Sequence, residues 1–538
     1  MLDLLIKDAS IVDGTGAPAR RGDVGVRDGR IVAVGSNGQV DEQASKTVDA
    51  EGQTLAPGFV DLHTHYDAQL FWDPTASPSV QHGVTTVFGG NCGFTLAPAG
   101  PDQQDYLTRM LARVEGMPLE ALRAGLDWQW SSFGDWLARL DGRTAVNAGF
   151  LVGHTAIRLA AMGDDAVGGE ASAAQIEKMA TLLGAALADG ALGLSTSQSN
   201  THNDGSGQPV PSRSASRDEL LALAAVLRQH SGTQLEAIIP GCLSGFTDDD
   251  IALLTDMSRA ADRPLNWNVL GVSAANPEGH EKQLRASKVA AEHGGRIVAL
   301  TLPHSTKIRL SFLSGFVLDG LPGWRETMHL PIPERLKALA DPGVRRRLDA
   351  GAHSEEAGIL RGLANWERLI IVETFAPEND DATGRTVGEV AAARGADPFD
   401  ALLDVVIADE LRTGLSPRPF GDGEADWKAR AEVWRNRDAV IGGSDAGAHL
   451  DMMCGAIYTT SLLGHGAREH QVVTLEEALR WEPPISTVVR AARRRCGLGG
   501  IAIPAGTSVS VSVAAANRDP EQKPEPDRST RRRRTSRI

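Results

Sequence analysis

Residues 59–67 read FVDLHTHYD. Side chains alternate along an extended strand, so Asp61, His63 and His65 share one face while Leu62 and Thr64 share the other. Two imidazoles on one face, with an acid beside them, can close on a single metal ion. The motif follows an apolar run and precedes a loop. In a closed α/β barrel the reacting groups sit at such C-terminal strand ends.

Working outward, further apolar runs are strand candidates: VTTVFGG, VNAGFLVG, GALGLSTS, TQLEAII, PLNWNVLGV, RIVALTLP, LIIVET and AVIGGSD. Between many of them lie helical stretches such as AAQIEKMATLLGAALADG and SRDELLALAAVLRQHSG. Alternation over about 400 residues predicts a (β/α)8 TIM barrel across 57–481. Nine candidates for eight places leave one outside the ring, expected to be LIIVET or VNAGFLVG. Residues 1–56 read as a small β layer, with Asp28 and Gly29 as a hairpin turn. Residues 482–538 are atypical: Pro, Arg and Ser replace the apolar pattern, which predicts disorder from Asn517 onward.

At 538 residues, 42% hydrophobic and 23% charged, the chain has the composition of a globular protein. No run approaches 18 apolar residues and the start carries no long apolar segment, so a soluble, cytoplasmic protein is expected, with no membrane partner. A net charge of −15 is unsuited to nucleic acid, while a local basic pocket could still hold a small anion. The four cysteines, Cys92, Cys242, Cys454 and Cys496, are too dispersed for a disulfide framework. The last three read as small buried residues.

Cys92, in VTTVFGGNCGF, follows an apolar run between glycines that let the backbone bring its sulfur towards a barrel centre, although by its spacing alone it reads sooner as a small buried residue. Asp445 ends a further strand, where a carboxylate can touch a metal and take a proton from water. His449 reads as a supporting loop histidine. His154 and His304 also end apolar runs and are candidates for lining a pocket. Lys307, Arg309 and Arg213 are cations in barrel-end loops, available to an anionic substrate. Trp72, Trp128, Trp130 and Trp267 read as packing residues.

The assembled motifs resemble the amidohydrolase superfamily, and within it the D-aminoacylase (N-acyl-D-amino-acid deacylase) family. They are the β opening LIKDASIVDGTGAPARRGDVGVRDGRIVAVG, then APGFVDLHTHYDAQLFWDP, SVQHGVTTVFGGNCGFTLAP, LVGHTAIRLAAMGDDA, GRTVGEVAAARGADPFDALLDVVI and IGGSDAGAH. The resemblance implies a TIM barrel with a small β-sandwich built from both chain ends. It also implies metal or catalytic roles for His63, His65, Cys92 and Asp445. Two histidine ligands of that family, in Thr-His-x-Arg and Ser-His-Leu-Lys sequences, have no counterpart here: the stretches read TQLEAIIPGC and PLNWNVLGV, with Glu236, Asn266 and Asn268 in roughly those places. The family arginine for the substrate carboxylate is also absent, and LPHSTKIR replaces Tyr-Pro-Tyr. The tail lacks the closing Ala-Asp-Leu-Val type strand. With one choice of codons, ISTVVRAAR read one base later yields Ser-Ala-Arg-Leu-Tyr-Gly-Leu-Arg, similar to the family continuation, so a frameshift near Trp481 is hypothesised; sequencing the source DNA tests it.

The expectation is hydrolysis of N-acyl-D-amino acids with one Zn²⁺ per chain, held by His63, His65 and Cys92, with Asp445 as catalytic base. The substrate carboxylate would pair with Lys307 or Arg309, the best substitutes for the absent family arginine, or with Arg213, with His304 nearby. Two alternatives stay open: a cyclic-amide hydrolase of the dihydroorotase or hydantoinase kind, for which no lysine stands at a suitable strand end, and a non-catalytic paralogue. Oligomeric state is not readable.

Overall fold

Asp28 and Gly29 both take positive φ, 52° and 67°, as a two-residue hairpin turn requires. The turn joins β2 (Arg20–Arg27) to β3 (Arg30–Ser36) in antiparallel pairing. β1 (Leu2–Ile11) pairs with β2 antiparallel and with β4 (Ala44–Asp49) and β5 (Thr54–Leu55) in parallel, giving the order β3-β2-β1-β4. The computed structural model describes residues 1–481 except 306, 316, 418–420 and 454, and beyond them the backbone of Thr487–Ala491, Cys496–Leu498, Ile501–Ile503 and Ser508–Ser512. The disorder expected from Asn517 onward and the reading of Cys454 lie outside the described residues.

The barrel begins with β6 (Phe59–Asp61), β7 (Val84–Gly89) and β8 (Asn147–Phe150), paired in parallel in that order. β8 continues as β9 (Val152–Gly153), which pairs with β10 (Gly193–Ser197). β11 (Gln234–Ile238), β12 (Leu265–Leu270) and β13 (Ile297–Thr301) follow, each parallel to the one before. After an excursion that contains β14 (Ile370–Glu373) and β15 (Gly414–Ser416), β16 (Ala439–Ile441) pairs with β13. The ring closes where the first and last strands end: Thr64 bridges Ala446, His65 N–H donates to Ala446 O (2.7 Å) and Asp445 N–H donates to His63 O (3.0 Å). Closure thus occurs at the level of the candidate ligands.

Of the two runs in doubt, VNAGFLVG is a barrel strand and LIIVET is not. β14 pairs antiparallel with β15 and buries Ile371 in a separate core with Leu310, Phe312, Trp324, Trp366 and Leu402. Helices Ile332–Ala340, Pro342–His353, Val387–Arg394 and Pro398–Ala408 surround that core. Apolar content alone does not distinguish a strand that faces the barrel from one that faces a second core. Of the tryptophans, Trp130 and Trp267 are buried and Trp72 is exposed. Cys242 is a buried free thiol. Among the described residues no helix is long and apolar enough to cross a membrane.

Candidate metal centre

His63 and His65 leave β6 on the same face and are both buried, their rings edge to face at 5.2 Å. One donor atom from each, and Cys92 Sγ, all lie within 4.8 Å of one another; Cys92 Sγ is 3.6 Å from His63 Nε2. Cys92 stands in the turn after β7 at φ 54°. The glycines beside it are required by close approach: a Cβ on Gly90 would lie 2.1 Å from Leu151 O, and one on Gly93 2.8 Å from Ser197 N, both at positive φ. Asp445, also at positive φ, places Oδ1 3.1 Å from His65 Nε2 and 3.5 Å from His63 Nε2.

Burial, reinforced by the positive charge of His65, lowers the pKa of His63 to about 4, so its imidazole is neutral and able to ligate. For Asp445, burial works against ionisation, but the hydrogen bond and charge of His65 win and hold the carboxyl well below its usual range. Burial, then the charges of Glu236, Glu115 and Asp445, pushes the Cys92 thiol well up. A neutral imidazole with Nδ1 buried and unpartnered, a second imidazole whose pKa Glu115 and Asp445 raise to about 10 against burial and which gives up its proton only to a cation, a thiol that ionises only beside a cation, and surrounding carboxylates form a donor set that suits a divalent zinc-like ion.

Two acids take roles that strand alternation does not show. Asp61, on the histidine face, accepts Ser444 N–H at 3.0 Å and so ties down the loop before Asp445; burial raises its pKa to about 6. Glu115, just beyond helix Pro101–Val114, lies 3.4 Å from His65 Nδ1 and 3.7 Å from His449 Nε2. Its pKa rises to about 7, chiefly through burial. Sequence reasoning missed Glu115. The available signal was an acid at a helix C-terminus, where the helix dipole disfavours negative charge.

Glu236 is held away from ligation. Its Oε2 accepts Cys92 N–H at 3.0 Å and the Ser195 hydroxyl, and its Oε1 accepts the Asn268 amide. It therefore positions the Cys92 turn. Asn268 Nδ2 also approaches Cys92 Sγ at 3.9 Å, whereas Asn266 Nδ2 bonds Val298 O.

The remaining candidates separate. His154 lies outside the strand ring, bonded to Thr196 Oγ1 (2.9 Å) and Glu219 (2.8 Å), and Glu219 also pairs with Arg158. All three side chains are fully buried, and His154 serves packing rather than the pocket. His304 donates Nδ1–H to Ser305 O at 2.9 Å. Lys307 is exposed, and Arg309 pairs with Glu373 at 2.5 Å in the excursion between β13 and β16. Arg213, half-buried in the loop after β10, bonds His202 O, Asn203 Oδ1 and Asn200 Oδ1.

The profile of the amidohydrolase family matches residues 46–502, and the chain belongs to that family. It is 40% identical to an N-acyl-D-aspartate deacylase of Alcaligenes xylosoxydans xylosoxydans over 231 residues, 43% of this chain and 42% of that protein; the match thus spans under half of that relative. It is 30% identical over 493 residues to an uncharacterized protein of Mycobacterium tuberculosis, covering 84% of this chain and 74% of that one. Among solved structures, the N-acyl-D-glutamate deacylase from Bordetella bronchiseptica, complexed with zinc and a phosphonate inhibitor, superposes with a TM-score of 0.57 at 24% identity, covering 89% of this chain and 84% of that one. That likeness is one of fold.

Proposed function

We propose that the chain is a zinc-dependent hydrolase of the amide bond in N-acyl-D-amino acids, releasing a carboxylate and a free D-amino acid. The observation that carries this reading is the convergence of His63, His65 and Cys92 beside Asp445 at the barrel mouth. The activities of the N-acyl-D-aspartate deacylase and of the N-acyl-D-glutamate deacylase of Alcaligenes xylosoxydans xylosoxydans, 40% and 38% identical over the matched segments, support the substrate class.

His63, His65 and Cys92 would hold the ion. When bound, it supplies a Lewis acid that polarises an amide carbonyl and acidifies water. Asp445, ionised because His65 faces it, takes the proton of the attacking water and returns it to the departing amine nitrogen. Glu115 faces His65 Nδ1 at 3.4 Å and so holds the ring with Nε2 towards Asp445. Glu236 fixes the turn that carries Cys92. The product amino acid bears a carboxylate, which calls for a cation at the mouth.

The test is metal analysis of the purified protein together with amine release from paired N-acetyl-D- and N-acetyl-L-amino acids. Turnover of the D series, lost on chelation and restored by zinc, is expected. Protein that carries its full metal and cleaves neither series would overturn the reading.

A further inference from the structure

Ser195 and Ser197 are two apart on β10 and point to the same side. Ser195 Oγ accepts Gly93 N–H at 2.6 Å and donates to Glu236, so that side is the barrel axis beneath Cys92. Ser197 stands one layer nearer the mouth. Its Oγ is 2.7 Å from His202 Nδ1, and the His202 ring lies 5.2 Å from that of Phe94, two residues beyond Cys92. His202 therefore overhangs the axis next to the candidate metal ligands.

The protonation of that ring follows from its neighbours. The Ser197 hydroxyl is fully buried and accepts Ser199 N–H at 3.3 Å. Among the described residues, the one acceptor for its own proton is His202 Nδ1. The ring proton is thus on Nε2, which has no hydrogen-bond partner among the described residues. Burial, with the charges of His65 and His449, lowers the ring's pKa to about 3, so it stays a neutral donor.

Arg213 supports the same loop. Nη1 donates to His202 O (3.2 Å) and Asn203 Oδ1 (2.8 Å), and Nη2 to Asn200 Oδ1 (3.3 Å). These oxygens are uncharged, so among the described residues no ion pair neutralises the guanidinium. Asp204, the acid of this loop, is occupied by the Ser206 and Gln208 N–H groups and the Tyr106 hydroxyl. Arg309 spends its charge on Glu373, and Lys307 stands in solvent.

We infer that Arg213 and the Nε2–H of His202 form the subsite for the free carboxylate of the substrate. A planar guanidinium and a neutral N–H donor suit a carboxylate, and neither would favour a neutral amide in its place. The inference rests on the reading of the chain as an N-acyl amino acid hydrolase.

The experiment compares kcat/KM for N-acetyl-D-leucine and for its carboxamide N-acetyl-D-leucinamide. Arg213→Met is expected to lower the acid-to-amide ratio roughly 10- to 100-fold, through KM. Arg213→Lys should recover part of it, and His202→Ala should lower the ratio more than His202→Gln, which keeps a donor. An unchanged ratio, or equal losses on both compounds in folded protein, would overturn the subsite. If Arg213→Met fails to fold, the His202 pair carries the comparison. If leucine is not turned over, the acid and carboxamide pair is remade on the D-amino acid that is; should the unmodified enzyme cleave none of the N-acetyl-D-amino acids, the proposed function falls. Equilibrium binding then decides the subsite: preference for the acid that Arg213→Lys weakens sustains it, and no preference overturns it.

Discussion

Oε1 of Glu115 lies 3.4 Å from Nδ1 of His65, and both side chains are 3% exposed. Glu115, with Asp445, keeps the His65 ring protonated, its pKa raised to about 10 against burial; a cation that displaced the Nε2 proton would find that nitrogen already held towards the space shared with His63, Cys92 and Asp445. A helix end, distant from the strand motif in sequence, thereby orients one of its two imidazoles.

Glu115→Gln keeps an acceptor oxygen but removes the charge. Zinc affinity is expected to fall about 10- to 100-fold, the range for loss of such a partner. Competition with a chromophoric chelator measures it. Unchanged affinity would show that the carboxylate serves the fold alone.

At most one tightly bound zinc per chain is expected, because Glu236 is occupied by Cys92 N–H, Ser195 and Asn268 and cannot serve a second ion. His63→Ala or His65→Ala should abolish retention. Two ions per chain after dialysis against a weak chelator would refute the count.

Asp445→Ala is expected to lower kcat by about 10²- to 10⁴-fold, the usual contribution of a positioned general base, while zinc content largely survives on His63, His65 and Cys92. Parallel assays of turnover and metal content test the separation. If metal and activity disappear together, Asp445 is a ligand before it is a base.

Asp409 governs acid stability of the second core. Burial would raise its pKa, but the hydrogen bonds from Thr413, Asn379 and the Ala376 and Phe375 N–H groups outweigh burial and lower it. A depressed carboxylate stabilises the fold above its ordinary value of 3.8 and loses that contribution as pH falls further. Asp409→Ala, which strands buried donors, should cost about 1–3 kcal/mol in urea unfolding at pH 6. The gap to the unmodified protein should narrow as pH falls below 3.8; a gap independent of pH would remove the carboxylate from the explanation.

The barrel was largely legible because its signals are local. Apolar runs separated by helical stretches need only neighbouring residues to be recognised, and the spacing of His63 and His65 places them on one face by backbone geometry alone. The same local signal failed at residues 369–374, where an apolar strand serves the separate core around Trp324 and Trp366. It also favoured Lys307 and Arg309 over Arg213 for the substrate carboxylate, although Arg309 pairs with Glu373, since a cation in a loop carries no mark of its partner.

By itself, then, the sequence determined the strand and helix alternation, the pair of imidazoles, and Cys92 and Asp445 as strand-end candidates. Tertiary structure alone decided what surrounds them. Cys92 meets Glu236 across 144 residues of chain, and Asp61 meets the Ser444 amide across 383. Those contacts arise when β16 is brought beside β6 and the ring closes. Burial, hydrogen-bond partners and the charge states that follow from them are properties of that closure, and no local pattern encodes them.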